Sequence, residues 1–135
     1  MSIELIEVNP DDTGHARLLH RLLGGRTPQQ SISHREMPGW DAHVAFIQSK
    51  PYRAWYLIKH SERLVGSAYL TRQNEIGIAV FEKCRGNGFA KEAIQELMKM
   101  HDGPFLANIN PGNWASRCLF HDLGFKILQV TYSHD

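Results

Sequence analysis

The chain predicts an α/β fold, a sheet covered by helices, and three observations carry that prediction. Strand-like and helix-like periodicities alternate in the order β-α-α-β-β-β-α-β-α-β. The central strands are joined by short polar connections, as in an antiparallel meander. The longest helical stretch carries a one-sided apolar stripe, which a sheet would bury.

Each element has a local reason. "IELIEV" alternates apolar and polar residues and reads as a short strand. Asp11, Asp12 and Thr13 offer N-cap chemistry for a helix through "HARLLHRLL", which stops at Gly24 and Gly25. Residues 26–38 are polar and read as a loop. In "GWDAHVAFIQS", Trp40, His43, Val44 and Ile47 recur at helical spacing. "AWYLIKH", "RLVGSAYLT" and "EIGIAVF" form the meander, turning at Ser61-Glu62 and Gln73-Asn74. From Gly88 to Met100, Ala90, Ala93, Ile94, Leu97 and Met98 share a helical face. "PFLANIN" reads as a strand. Asn113 caps a helix that ends at Gly124, and "FKILQVTY" closes as a strand.

The bulk numbers bound the class. With 135 residues, 42% of them apolar, the chain is read as a single domain over 1–135, long enough to bury a core. A formal net charge of +1 gives no global attraction to nucleic acid or to an anionic membrane. No run of apolar residues is long enough to span a bilayer, and the opening "MSIELIEVNPDD" lacks the basic start of a secretory signal. The expected location is cytoplasmic, with Cys84 and Cys118 reduced. The eight histidines do not cluster at ligand spacing, so no metal is expected.

The most informative stretch is "EIGIAVFEKCRGNGFAKEAIQELM". A helix N-terminus offers unpaired N–H groups and a partial positive charge. Glycines ahead of it let successive amides converge on phosphate oxygens, and Arg85 and Lys91 add charge at the rim. A P-loop would need G-x-x-x-x-G-K-[ST], which is missing. A dinucleotide turn would need a third glycine inside a parallel βαβ unit. Taken alone, the turn has a plain alternative: glycines that only permit tight geometry.

Arg85-x-x-Gly88-x-Ala90 after "EIGIAV" resembles the acyl-CoA motif (Gln/Arg)-x-x-Gly-x-(Gly/Ala) of the GNAT superfamily of N-acetyltransferases. "NINPGNWASRCLFHDLGFKI" resembles the family's second hallmark, where an Asn opens a helix that runs into an aromatic-rich "LGF". The likeness spans roughly residues 54–132; residues 1–53 match only in general layout. It implies a mixed, mostly antiparallel central sheet with helices on both faces. It implies acetyl-CoA as donor and CoA as product. The pyrophosphate would lie on the amides of Gly86, Asn87, Gly88, Phe89 and Ala90. The pantetheine would pair with backbone around Ile78, Ala79 and Val80, where the family's strands splay. Asn113, Ser116 and Phe120 would face the cofactor, although Asn113 also serves as an N-cap and the other two as core positions.

N-acetyl transfer needs a neutral amine, a donor for the oxyanion and stabilisation of the leaving thiolate. Glu75 is the candidate base, since many members of the family place a carboxylate on this strand; its alternative is a solvated strand-end residue. A backbone amide near Ala79 is the expected oxyanion donor. Many members have Tyr where this chain has Phe120, which cannot donate a proton; either Cys118, His121, Tyr132 or a water stands in, or the thiolate leaves without direct help. His34, Glu36, Trp40, His43 and Asp41 lie in the region that forms the family's acceptor site. Trp40, Tyr52, Trp55 and Tyr56 could line a ring-shaped or nucleotide acceptor, with core packing favoured for Trp55 and Tyr56.

The resemblance thus implies transfer of acetyl from acetyl-CoA to a primary amine of a small molecule, by direct attack in a ternary complex. A nucleotide-linked amino sugar is one candidate acceptor and a protein N-terminus another. A non-catalytic acyl-CoA-binding or regulatory domain is the rival reading. Nucleic-acid and membrane partners are not expected, and a homodimer is left open.

Overall fold

A computed structural model describes residues 2–25 and 37–134. Strands β1 (Glu4–Glu7), β2 (Ala54–His60), β3 (Arg63–Leu70) and β4 (Ile76–Val80) form one antiparallel sheet in the order β1-β2-β3-β4. Helices α1 (Thr13–Gly24) and α2 (Trp40–Gln48) precede β2, while α3 (Phe89–Met100) and α4 (Trp114–Asp122) follow β4. Asp12 caps α1 by accepting the His15 amide at 3.1 Å, and Asn113 caps α4 by accepting the Ser116 amide at 3.1 Å.

Strand periodicity sorts the side chains onto two faces. Tyr56, Ile58, Ala68, Leu70 and Ile76 pack under Ala93, Ile94 and Leu97 of α3 and Phe120 of α4. Leu57 turns the other way, to Ala16, Leu19 and Leu22 of α1 and Ile47 of α2. Full burial of a single side chain such as Leu97 or Ile94 is worth about 2 kcal/mol by transfer. A register shift at Ile58 and Lys59 lets Val65 join the first cluster although Leu64 joins the second.

Two expected strands differ. "PFLANIN" contributes one parallel bridge, Leu106 to Glu75: the Ile76 amide donates to Leu106 O at 2.7 Å and the Leu106 amide to Asn74 O at 2.9 Å. Beyond Leu106 the segment diverges from β4, so the ladder cannot continue. "FKILQVTY" forms no strand among the described residues, because no neighbouring segment pairs with it; Ile127 is 82% and Tyr132 92% exposed. β4 also starts at Ile76, leaving Glu75 as the bridge residue. Of the loop expected over 26–38, residues 26–36 lie outside the described residues.

Two imidazoles, His43 buried and His101 half-buried, make the fold sensitive to acid. The His43 ring donates from Nε2 to Ala16 O at 2.9 Å, tying α2 to α1, and its ring lies 4.9 Å from that of His20. Burial lowers its pKa from the ordinary 6.5, outweighing the bond to Ala16. His101 shares a 2.7 Å hydrogen bond with the Tyr56 hydroxyl, and burial lowers its pKa too. Below about pH 6.5 the unfolded chain therefore binds protons that the folded chain refuses. Unfolding free energy should fall as pH drops from 7 towards 5 and level off once the folded-state values are passed. Urea titrations across that range check this, and His43→Gln, which keeps a donor for Ala16, should flatten the slope. No helix among the described residues is long and apolar enough to cross a membrane.

Candidate active site

β4 has a partner on one side only over most of its length. The Thr71 amide bonds Glu75 O at 2.9 Å and the Phe81 amide bonds Val65 O at 2.9 Å. Antiparallel alternation then turns Gly77 and Ala79 towards β3, opposite Tyr69 and Ser67. Ile78 and Val80 face the other edge, where the 105–110 segment has moved away. Among the described residues no backbone group takes the Ile78 amide, and Val80 O accepts only the Arg85 Nε–H, at 3.3 Å.

A cavity of about 590 Å³ fills this gap. Ile76, Ile78, Asn108 and Ile109 form its throat; Asn113, Ser116 and Phe120 of α4 close one wall. Its far end opens under α1 and α2, against Phe46, Tyr52, Trp55 and Tyr69. A smaller hollow of about 150 Å³ lies at the start of α3, lined by Val80, Arg85, Gly86, Gly88, Ala90 and Lys91.

That hollow is shaped by backbone. Gly86 and Gly88 have φ of +83° and +78°, and a Cβ on either would meet nothing within 4 Å. Glycine is thus used for conformation, with open space kept in front of the turn. Asn87 folds its amide group back onto Cys84 O at 3.0 Å and Arg85 O at 3.4 Å, and α3 has no side-chain cap. The first bond of α3 runs from the Glu92 amide to Gly88 O. Among the described residues, no acceptor takes the amides from Gly86 to Lys91. Phe89, also on the lining, is 7% exposed, and its ring packs 4.7 Å from the His60 ring.

Glu75 stands at the throat, held on both oxygens. Oε1 accepts from Thr71 Oγ1 at 3.1 Å, and Oε2 accepts a very short bond from Asn108 Nδ2. The Glu75 amide returns to Thr71 Oγ1 at 3.0 Å. This is a positioned carboxylate, unlike a solvated strand end. Sequence reasoning missed both clamps; the signal was a polar Asn108 between the apolar Ala107 and Ile109.

The other expected residues divide. His43 lines the cavity, but its Nε2 is committed to Ala16. Trp40 is 40% exposed and packs on His20 and His43 instead of lining the cavity. Asp41 is exposed outside it. His34 and Glu36 lie outside the described residues. Trp55 was expected in the core and lines the cavity, whereas Tyr56, next along β2, is buried on the opposite face. Of the groups that could replace a Tyr at Phe120, Cys118, His121 and Tyr132 are all exposed and none lines the cavity. Among the described residues, no three His, Cys, Asp or Glu gather to hold a metal ion.

An antiparallel sheet that opens beside a glycine-shaped turn at a helix start defines a class. The family described as the acetyltransferase (GNAT) domain matches residues 6–126. The chain belongs to that family: it is an N-acetyltransferase whose acyl donor is acetyl-CoA. Its fold is similar to an acetyltransferase from Thermus thermophilus, with a TM-score of 0.74 at 20% identity over 96% of this chain and 90% of that one. It is also similar to RimL, a ribosomal L7/L12 alpha-N-protein acetyltransferase solved with coenzyme A (TM-score 0.74, 19% identity, 90% of this chain and 78% of that one). The spermidine/spermine N-acetyltransferase SpeG from Vibrio cholerae is a third (TM-score 0.68, 17% identity, 93% and 80%). No curated protein sequence matches the chain.

Proposed function

We propose that the whole chain works as a single cytoplasmic acetyltransferase domain, passing acetyl from acetyl-CoA to the primary amine of a small molecule in one ternary complex. The amides of Gly86 to Lys91, which no acceptor among the described residues takes, carry this reading, since open space lies in front of Gly86 and Gly88 where a diphosphate could rest on them. Arg85 and Lys91 add charge at the rim. The free edge of β4 offers Ile78 and Val80 to the amide groups of a pantetheine arm, as a strand would. Asn113 uses Oδ1 for its cap and keeps its Nδ2 donor for the same arm.

The bound donor supplies a thioester carbonyl, and the protein supplies the rest. The Ile78 amide, one residue from the expected Ala79, points into the throat and stabilises the developing oxyanion. An amine nitrogen becomes strongly acidic as its bond to carbon forms, and Glu75 accepts that proton directly or through one water. Thr71 and Asn108 aim the carboxylate. With Phe120 at the thiolate end, water protonates the leaving sulfur, which as a thiolate already leaves readily. The test is release of free thiol from acetyl-CoA with a panel of amines; tight CoA binding with no release for any amine would refute catalysis.

A homodimer accompanies this reading. Ile127, Leu128, Val130 and Tyr132 form an apolar run left outside the chain's own core, and a second copy could cover it. Sedimentation should give a dimer at micromolar concentration, and the pair Ile127→Lys and Val130→Lys should give a monomer that still binds CoA. A monomeric parent protein would remove the idea.

A further inference from the structure

We infer that the acceptor end of the cavity is built for a singly charged amine on an apolar or aromatic body, with no anionic group. This rests on the acetyltransferase reading above and names the chemistry of its second substrate.

The first argument is the wall. On the sheet face that carries Glu75, cross-strand pairing sets Trp55 opposite Tyr69 and Tyr69 opposite Gly77. Tyr52 stacks on Tyr69 with centroids 4.0 Å apart and planes 8° apart. Trp55 meets Tyr52 edge-on at 4.7 Å, and Phe46 of α2 meets Tyr52 and Trp55 at 5.9 and 6.1 Å. The indole is fixed further by Nε1–H donating to Ser67 Oγ at 3.0 Å, while Ser67 Oγ donates to Tyr56 O at 2.9 Å. Tyr69 lies flat on Gly77, where a Cβ would come within 1.9 Å of its ring. The wall is therefore preorganised, and an apolar body meets it without first ordering side chains.

The second argument is charge. Among the described residues lining the cavity, Glu75 is the one formally charged side chain; there is no Lys and no Arg. His43, also on the lining, is kept neutral by burial. Glu75 sits two residues before Gly77 on the same face, so its Cα lies about 7 Å along the strand from that of Gly77, the residue beneath the Tyr69 ring. An ammonium entering here is drawn by the carboxylate, while its apolar body packs against the ring wall. A carboxylate or phosphate on the acceptor would lose its water and, among the described lining residues, meet no cation to replace it, with Glu75 as the one charge. A second ammonium would be desolvated with no second acid among the described lining residues.

The experiment compares four amines as acceptors for the full chain with acetyl-CoA: 2-phenylethylamine, phenylalanine, spermidine and glucosamine 6-phosphate. Isothermal titration of each into the CoA-loaded protein runs alongside. The expected result is that 2-phenylethylamine exceeds phenylalanine in kcat/KM by roughly 100-fold and alone gives measurable binding. Tyr69→Ala, or Phe46→Ala on the half-exposed helix face should the first fail to fold, should raise its KM about tenfold while leaving CoA affinity unchanged. If phenylalanine, spermidine or the phosphosugar is acetylated as fast as 2-phenylethylamine, or faster, the inference falls and the acetyltransferase reading stands. If CoA binds and none of the four amines releases thiol, the inference falls, and the wider amine panel decides the reading it rests on.

Discussion

Gly88→Asp should lower the affinity for coenzyme A by about 100-fold or more, close to 3 kcal/mol, while circular dichroism stays unchanged. Gly88 caps α3 at φ +78° with open space beyond its Cα. Aspartate tolerates that conformation better than most residues, so the turn should survive. What changes is the field. A carboxylate would stand among the six amides from Gly86 to Lys91, where a diphosphate carries its charge. Like charges a few ångströms apart at a protein surface repel by up to about 4 kcal/mol. Gly88→Ala separates the two causes: its backbone strain without charge should cost far less affinity. Calorimetry on both variants decides, and an affinity retained in the aspartate variant would disprove the cradle.

The second large effect is expected at Glu75. Glu75→Gln should reduce kcat by about 100-fold near neutral pH, with the loss narrowing at high pH as the free amine becomes abundant. The amide is close to isosteric. Its oxygen can still accept from one clamp, and the Asn108 side chain can rotate to accept from its nitrogen, so folding should cost little. A pH–rate profile unchanged in shape and height would remove Glu75 from the role. Asn108→Ala tests the clamp: it should lower kcat about tenfold with CoA binding intact, because the carboxylate then loses its aim while keeping its charge. Restoration by Asn108→Gln would indicate geometry as the cause.

The family's second hallmark and the turn at Arg85 to Ala90 were legible because backbone needs leave strong residue preferences: glycine for positive φ, Asn for a cap. The meander and α1 to α3 were legible for the same local reasons. The last strand was not. "FKILQVTY" has the right composition for a strand, but a strand also needs an edge to pair with, and composition says nothing about where one lies. Phe46, Trp55 and Tyr69 could not be assigned to the cavity by residue type, since the same rings serve as core. Only the register, which places Trp55 across from Tyr69 and Tyr56 on the opposite face, tells the two apart. Thr71 and Asn108 reach Glu75 from a turn and from a distant segment, a juxtaposition no local pattern encodes.

The grip proposed for the donor is made almost entirely of peptide groups. A side chain can be lost in one substitution; an N–H belongs to every residue except proline. Nearly all positions along that grip are therefore free to drift so long as two glycines keep the curl, which accords with a fold retained at 20% identity or below. The opposite end is made of exchangeable rings and one acid. Evolution can thus hold the acyl donor constant while trading one acceptor for another, and laboratory redesign should begin at Phe46, which stands on the solvent side of α2, before disturbing Tyr69 on its glycine bed.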